Sequence, residues 1–276
     1  MGSTNANTTS DSKNSATIID VHMIDRSGRY HIGPETPPHI KHDNGFLDQF
    51  PMREPTMADR LALAKWIALL EGSEALRPDL ADANAAYRHF LFGNGKDRTI
   101  SYQRYIDNDP SGKKTLTSIE ADFKHHAEKI GENREYFEIT GDTYPAGSEP
   151  TFLPYPQTEN WQKAIGAHFA WVSGKVRISI DPKNGKDRYT ADIIIHMEDR
   201  YNFNPGAHDI ATGAPDADNG IFEITGLAHQ YTNRGHISRT LTWIEGEGRN
   251  LDAKTNKSDE ISDRRPQDNR RIRNRL

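Results

Sequence analysis

The chain has 276 residues, no cysteine, and 40 acidic against 35 basic side chains, for a formal net charge of −5 at neutral pH. Disulfides and cysteine-ligated metal sites are therefore excluded, and the negative balance argues against a general nucleic-acid binder. The mean hydropathy of −0.84 is polar for a globular protein, and no run approaches the ~18 apolar residues that a membrane helix needs.

Residues 1–50 are expected to form a disordered tail and then an extended loop. The first fifteen are rich in Ser, Thr and Asn and cannot bury enough apolar surface to offset their ordering entropy. They also lack the basic-then-apolar order of a signal peptide. A short apolar run at 17–23 has the composition of a strand. The Gly- and Pro-rich stretch after it carries His31, His39 and His42 and reads as an approach that wraps over the domain.

Residues 51–133 read as helical. Thr56 suits an N-cap, and Met57, Leu61, Ala64 and Ala68 fall on one side at helical spacing, with Ile67 and Leu70 widening the stripe and Gly72 placed to stop it. A second helix follows Pro78 and a third spans about 116–130, with a loop and short strand between them. Residues 134–246 read as a strand-rich, mostly antiparallel domain. Tyr136–Thr140 alternates with period two, and a Pro-rich connector leads to a short helix capped by Thr158. Asn184-Gly185 makes a tight turn between two strands. Asn219-Gly220 reads as another turn, and 236–244 alternates again with Ile237, Leu241 and Trp243 on one face. Residues 247–276, ending in six arginines between 264 and 275, read as a charged, disordered tail. The fold class expected is α+β, helices first and strands second.

Chemistry concentrates at 192–220. A strand ending in Ile193, Ile194 and Ile195 runs into a polar loop that holds Glu198, Asp199, Tyr201, Asn202, His208 and Asp209. A carboxylate at a strand end and a phenol two residues on share a direction while the pleat persists. The Asn204-Pro205-Gly206 turn can bring His208 back towards them. Such a set can bind a divalent cation, activate water or protonate a leaving oxygen. Each residue also has a plain structural use: Asp199 on strand-end backbone donors, Tyr201 as a core aromatic, His208 as a loop hydrogen-bonder.

Asp199-Arg200-Tyr201-Asn202, five residues, then His208-Asp209 resembles the signature of the colicin M family of bacteriocins, Asp-x-Tyr-Asp, five residues, His-Arg. The pattern departs at Asn202, where the family has aspartate, and at Asp209, where it has arginine. The resemblance implies a magnesium-dependent phosphodiesterase that cuts lipid II, the undecaprenyl-linked peptidoglycan precursor, between lipid and pyrophosphate. It implies Asp199 as essential carboxylate, with Glu198 as a further metal ligand, His208 as acid or base, and Tyr201 orienting the substrate. Asn202, Asp209 and Arg200 fall to substrate binding. It further implies a toxin made in the cytoplasm, released or injected by a contractile machine, acting in the target periplasm and countered by an immunity protein. The alternative is a non-catalytic structural or binding component of a phage-like or contractile particle.

Overall fold

The computed structural model describes residues 29–147, 151–208, 216–247 and 251–259. The tail at 1–28, the strand expected at 17–23, Asp209 and the arginine-rich end lie outside those residues. The strands in chain order are β1 (Tyr30–Ile32), β2 (Arg98–Thr99), β3 (Tyr136–Gly141), β4 (Tyr144–Gly147), β5 (Leu153–Pro154), β6 (His168–Ile180), β7 (Asp187–Tyr201), β8 (Tyr231–Ile244) and β9 (Asp252–Ser258). The helices are α1 (Phe46–Gln49), α2 (Met57–Leu76), α3 (Ala81–Phe92), α4 (Tyr102–Asn108), α5 (Gly112–Gly131), α6 (Glu159–Ala164) and α7 (Ala217–Ile224). The class is α+β, with a mainly antiparallel sheet preceded by most of the helices.

Three long strands, β6, β7 and β8, form the spine of the sheet. β6 and β7 are joined by the Asn184-Gly185 turn and pair from Ile180↔Asp187 to Phe169↔Glu198. β7 and β8 pair along their whole length, from Arg188↔Ile244 to Tyr201↔Tyr231. On the far side of β8, β2 adds in parallel and β9 antiparallel. β3 and β4 line the free edge of β6, and β1 extends β3.

Period-two alternation sends Tyr189, Ala191, Ile193, Ile195 and Met197 of β7 to the inner face. There they pack with Val172 and Val176 of β6 and Ile237, Leu241 and Trp243 of β8, under Tyr102 and Tyr105 of α4 and Ile119 and Phe123 of α5. Each large apolar side chain withdrawn from water there contributes ~1.5–3 kcal/mol. A second apolar cluster gathers Leu70, Phe90, Leu91, Phe222 and Tyr231 from α2, α3, α7 and β8, and Tyr201 packs against both clusters. Helical and strand-rich stretches thus share their cores.

Several expectations need correction. The stretch from 247 supplies β9, which pairs with β8 from Ile237↔Ser258 to Thr242↔Asp252, and 30–32 belongs to the sheet rather than to a loop. Within the stretch taken as loop and short strand, α4 forms and buries Tyr102, Tyr105 and Ile106. Asn219-Gly220 is no turn but lies within α7, where Gly220 sits against the Phe46 ring and any Cβ would collide. Most unexpectedly, the Met57–Leu61–Ala64–Ala68 stripe of α2 faces solvent; the helix buries only Asp59 and Leu70.

From the end of β1, whose Tyr30 is anchored in the core, residues 33–46 form an arm over the outer face of the sheet. Tyr30 is fixed by a 2.5 Å hydrogen bond with Tyr144, whose hydroxyl donates to Asp122 at 2.7 Å. Further along, Ser173 donates to Glu35 at 2.6 Å. His42 meets Glu198 at 2.8 Å, and the Phe46 amide donates to the Phe203 carbonyl at 3.1 Å. Gly45 passes so close to that carbonyl, at φ 55°, that a side chain there would collide with it. The arm therefore reaches the end of β7, where the polar loop begins.

Candidate active site

Asp199 continues the inward alternation of β7 beyond Met197, so a carboxylate occupies the position at which the apolar face ends. Only 5% of it is exposed. Asn233, its register partner on β8, donates to it at 2.9 Å, and Arg98 donates to the Asn233 amide oxygen at 3.2 Å from behind. Burial pushes the Asp199 carboxyl up to about 8, against the opposing pull of Asn233 and of the Arg98 charge. The group that hydrogen-bonds to it is thus a neutral amide, and at neutral pH the carboxyl holds its proton.

Asp199 opens into a cleft of about 750 Å³ that is also lined by Arg200, Tyr201, Asn202 and His208. The turn at Asn204–Ala207, closed by a 3.0 Å backbone hydrogen bond, returns the chain so that exposed His208 stands on the same cleft. Five of the residues singled out in the sequence are therefore brought together. Glu198 is not. It points to the opposite face of the sheet, bonded to His42 and, at 2.9 Å, to Arg234. The pleat separates it from Asp199, so the metal pair expected from adjacent carboxylates does not form. Asp209 lies outside the described residues.

Tyr201 is a packing residue as well as a cleft residue. Its ring stacks on Tyr231 at 5.0 Å and meets Phe203 edge-on. Arg200 donates to Gln230 at 2.8 Å and to Thr232 at 3.3 Å, both neutral acceptors. Asn202 donates to the Asp43 carboxylate at 2.7 Å, and the Gly45 amide donates to the same oxygen at 3.0 Å. Asp43 lines the cleft with Lys41 and His42, and so does Lys163, which is ion-paired with Glu159 at 2.7 Å.

Sequence reasoning overlooked several of these. His168 meets Tyr102 and Tyr105 edge-on and also lines the cleft. One position beyond the last paired residues of β6 and β7, it shares the inward face with Asp199. Burial pulls its imidazole down to about 4, so it is neutral, bonded to the Tyr102 hydroxyl at 3.0 Å. Asn233 escaped notice because the alternation read from the sequence starts at His236, whereas β8 begins at Tyr231. Continuing the Ile237–Leu241 alternation backwards would have turned it inward. Beneath the loop, burial also lifts Glu223 of α7 to about 8; it accepts from the Phe203 amide at 3.2 Å.

Could the cleft hold a divalent cation? Among the described residues no three His, Asp or Glu side chains converge as a ligand set. Magnesium does not require one: it is commonly held through one or two carboxylates together with waters and substrate phosphate oxygens. A buried carboxyl bonded to a neutral amide, in a cleft with Lys41, Lys163 and Arg200, fits that mode. No helix among the described residues is long and apolar enough to cross a membrane. No protein-family model, curated protein or solved structure matches the chain.

Proposed function

We propose that this cleft hydrolyses a phosphodiester in a lipid-linked pyrophosphate, the lipid II class of substrate, as an antibacterial toxin of the kind that the colicin M signature implies. The observation that supports it best is the buried Asp199 carboxyl opening into one cleft with Tyr201 and His208, the three signature positions this chain keeps. The cations about the cleft suit a substrate with several negative oxygens. Bound magnesium would neutralise pyrophosphate charge and polarise the phosphorus centre.

The chain's own residues supply the rest. Asp199, as a carboxylate, is the residue that would hold the cation. Arg200, bonded to neutral acceptors, offers its charge to a phosphate oxygen. His208, on the exposed side, takes the proton from the attacking water. The new bond is water oxygen to phosphorus, the bond broken is phosphorus to lipid oxygen, and the proton accepted by His208 passes to the departing lipid oxygen, which leaves as the alcohol. Asp43 provides a carboxylate beside position 202, where this chain has asparagine instead of aspartate.

The test is incubation of the protein with lipid II and magnesium, following release of undecaprenol. Asp199→Ala abolishes release, and periplasmic expression of the wild type, but not of the variant, lyses cells. Absence of turnover together with harmless periplasmic expression would leave the site as a binding or architectural element of a larger particle.

A further inference from the structure

His42 lies where the arm reaches the end of β7, with 17% of its side chain exposed. Its Nε2 stands 2.8 Å from one oxygen of the Glu198 carboxylate. The other oxygen of Glu198 accepts from Arg234 at 2.9 Å, and Arg234 is held in turn by Asp97. A carboxylate fixed in this way by a guanidinium is an acceptor, so the imidazole proton sits on Nε2 and the lone pair on Nδ1. Nδ1 has no hydrogen-bond partner among the described residues. Phe169 meets the ring edge-on, with centroids 5.8 Å apart, and both side chains line the cleft.

The plain use of this pair is to pin the arm. The arm is already fastened there: Asn202 donates to Asp43 at 2.7 Å, and the Phe46 amide donates to the Phe203 carbonyl at 3.1 Å. A histidine whose tautomer and orientation are set by a carboxylate, with its remaining nitrogen free beside a cleft, is the arrangement of a proton-transfer group. His208, by contrast, is exposed, and no carboxylate orients it among the described residues.

Asp199 comes to the cleft from the inner face of the sheet, and His42 comes from the outer face, where it meets Glu198. An in-line displacement keeps the entering and departing oxygens on opposite sides of phosphorus, so a single imidazole is poorly placed to serve both. We infer that His42 is a second acid–base residue of this cleft, protonating the departing oxygen from Nδ1, with Glu198 as its positioning residue. The pair is read from geometry, while the identity of the departing oxygen rests on the lipid II reading. The bond from phosphorus to that oxygen breaks as the Nδ1 proton moves to it, and Nε2 keeps its proton on Glu198. Nδ1 is then reloaded, through water, with the proton that His208 took from the attacking water.

Turnover of lipid II by full-length variants tests the step. His42→Ala should lower kcat by about a hundredfold or more with KM and the urea midpoint little changed, and added imidazole should restore part of the loss. His42→Gln, which can still bond to Glu198, should stay as slow as His42→Ala. Glu198→Gln should lower kcat by about tenfold at unchanged KM. Replacing the lipid alcohol with p-nitrophenol, a leaving group that needs no proton, should shrink the His42→Ala loss to a few-fold. Unchanged kcat in His42→Ala, or an equal loss with both leaving groups, overturns the inference. Two measurements need no turnover. Nitrogen-15 spectra in alkaline buffer should show the His42 proton on Nε2, and diethyl pyrocarbonate should acylate His42 in the folded protein. A proton on Nδ1, or a His42 that resists acylation, overturns the pair whatever happens to lipid II. Both ring results without cleavage of lipid II would sink the lipid II reading alone and leave His42 and Glu198 as the acid–base pair for another ester.

Discussion

Asn202 donates from its amide to Asp43, a residue of the arm 159 positions earlier. That contact explains why an aspartate at 202 would be ill placed in this chain: two carboxylates would meet across a hydrogen-bond distance. Asn202→Asp should therefore cost stability, by about 1 kcal/mol at low ionic strength because the pair is exposed, and less as salt is added. The reversed pair, Asp43→Asn with Asn202→Asp, restores a single carboxylate and an amide donor and should recover most of the loss. Urea melts of the two singles and the double check this, and additive losses in the double would sink it. At this scale the signature residues were legible, since spacing in the chain kept Asp199, Tyr201 and His208 together. Asp43 was not, because only the path of the arm brings it to position 202. Glu198 misled for the opposite reason. Adjacency in sequence suggested a shared site, whereas neighbours on a strand face opposite sides.

Two glycines at the level of elements show how far pattern reading goes. Period-two alternation located β3, β7 and β8, and the Thr56 cap located the start of α2, whose hydroxyl accepts from the Asp59 amide at 3.3 Å. What alternation and capping cannot reveal is which side of a helix finds a partner. Of the apolar residues read along α2, Ile67 and Leu70 pack inward together with Trp66, whereas Met57, Leu61, Ala64 and Ala68 face solvent. The Asn219-Gly220 pair looks like a turn for the same reason: only the fold shows Phe46 of α1 seated against Gly220. Gly220→Ala gains helix propensity but forces the Phe46 ring aside, so the net effect should be a loss of ~1–2 kcal/mol. Gly72→Ala, in α2 with nothing within 4 Å of a new Cβ, should gain ~0.5–1 kcal/mol. Chemical denaturation of both variants gives the two signs, and a gain at position 220 would contradict the packing of α1 on α7.

Across the whole molecule, two buried carboxyls, Asp199 and Glu223, are each pushed up to about 8, first of all by burial. Their unfolded counterparts titrate near ~4. Between those limits the folded protein holds protons that the unfolded chain has released, so these groups' contribution is full below about pH 4 and is lost as pH rises through 8. Each should make stability fall with pH across that window, by up to ~1.4 kcal/mol per pH unit. Asp199→Asn keeps an acceptor for Asn233 and has no proton to lose, so its stability should fall less steeply from pH 5 to 8, with Glu223→Gln doing the same independently. Carboxylates held low, such as Asp59 and Asp181, act mainly below this window and do not mask the difference. Urea melts at half-unit pH intervals read the slopes directly; an Asp199→Asn slope equal to wild type would mean the carboxyl is not held protonated. A cation competing for that proton gives the complementary experiment. Magnesium at pH 7 should raise the melting temperature of the wild type and not of Asp199→Asn. If both respond alike, the ion acts elsewhere, and Asp199 serves the cleft as a proton donor rather than as a ligand.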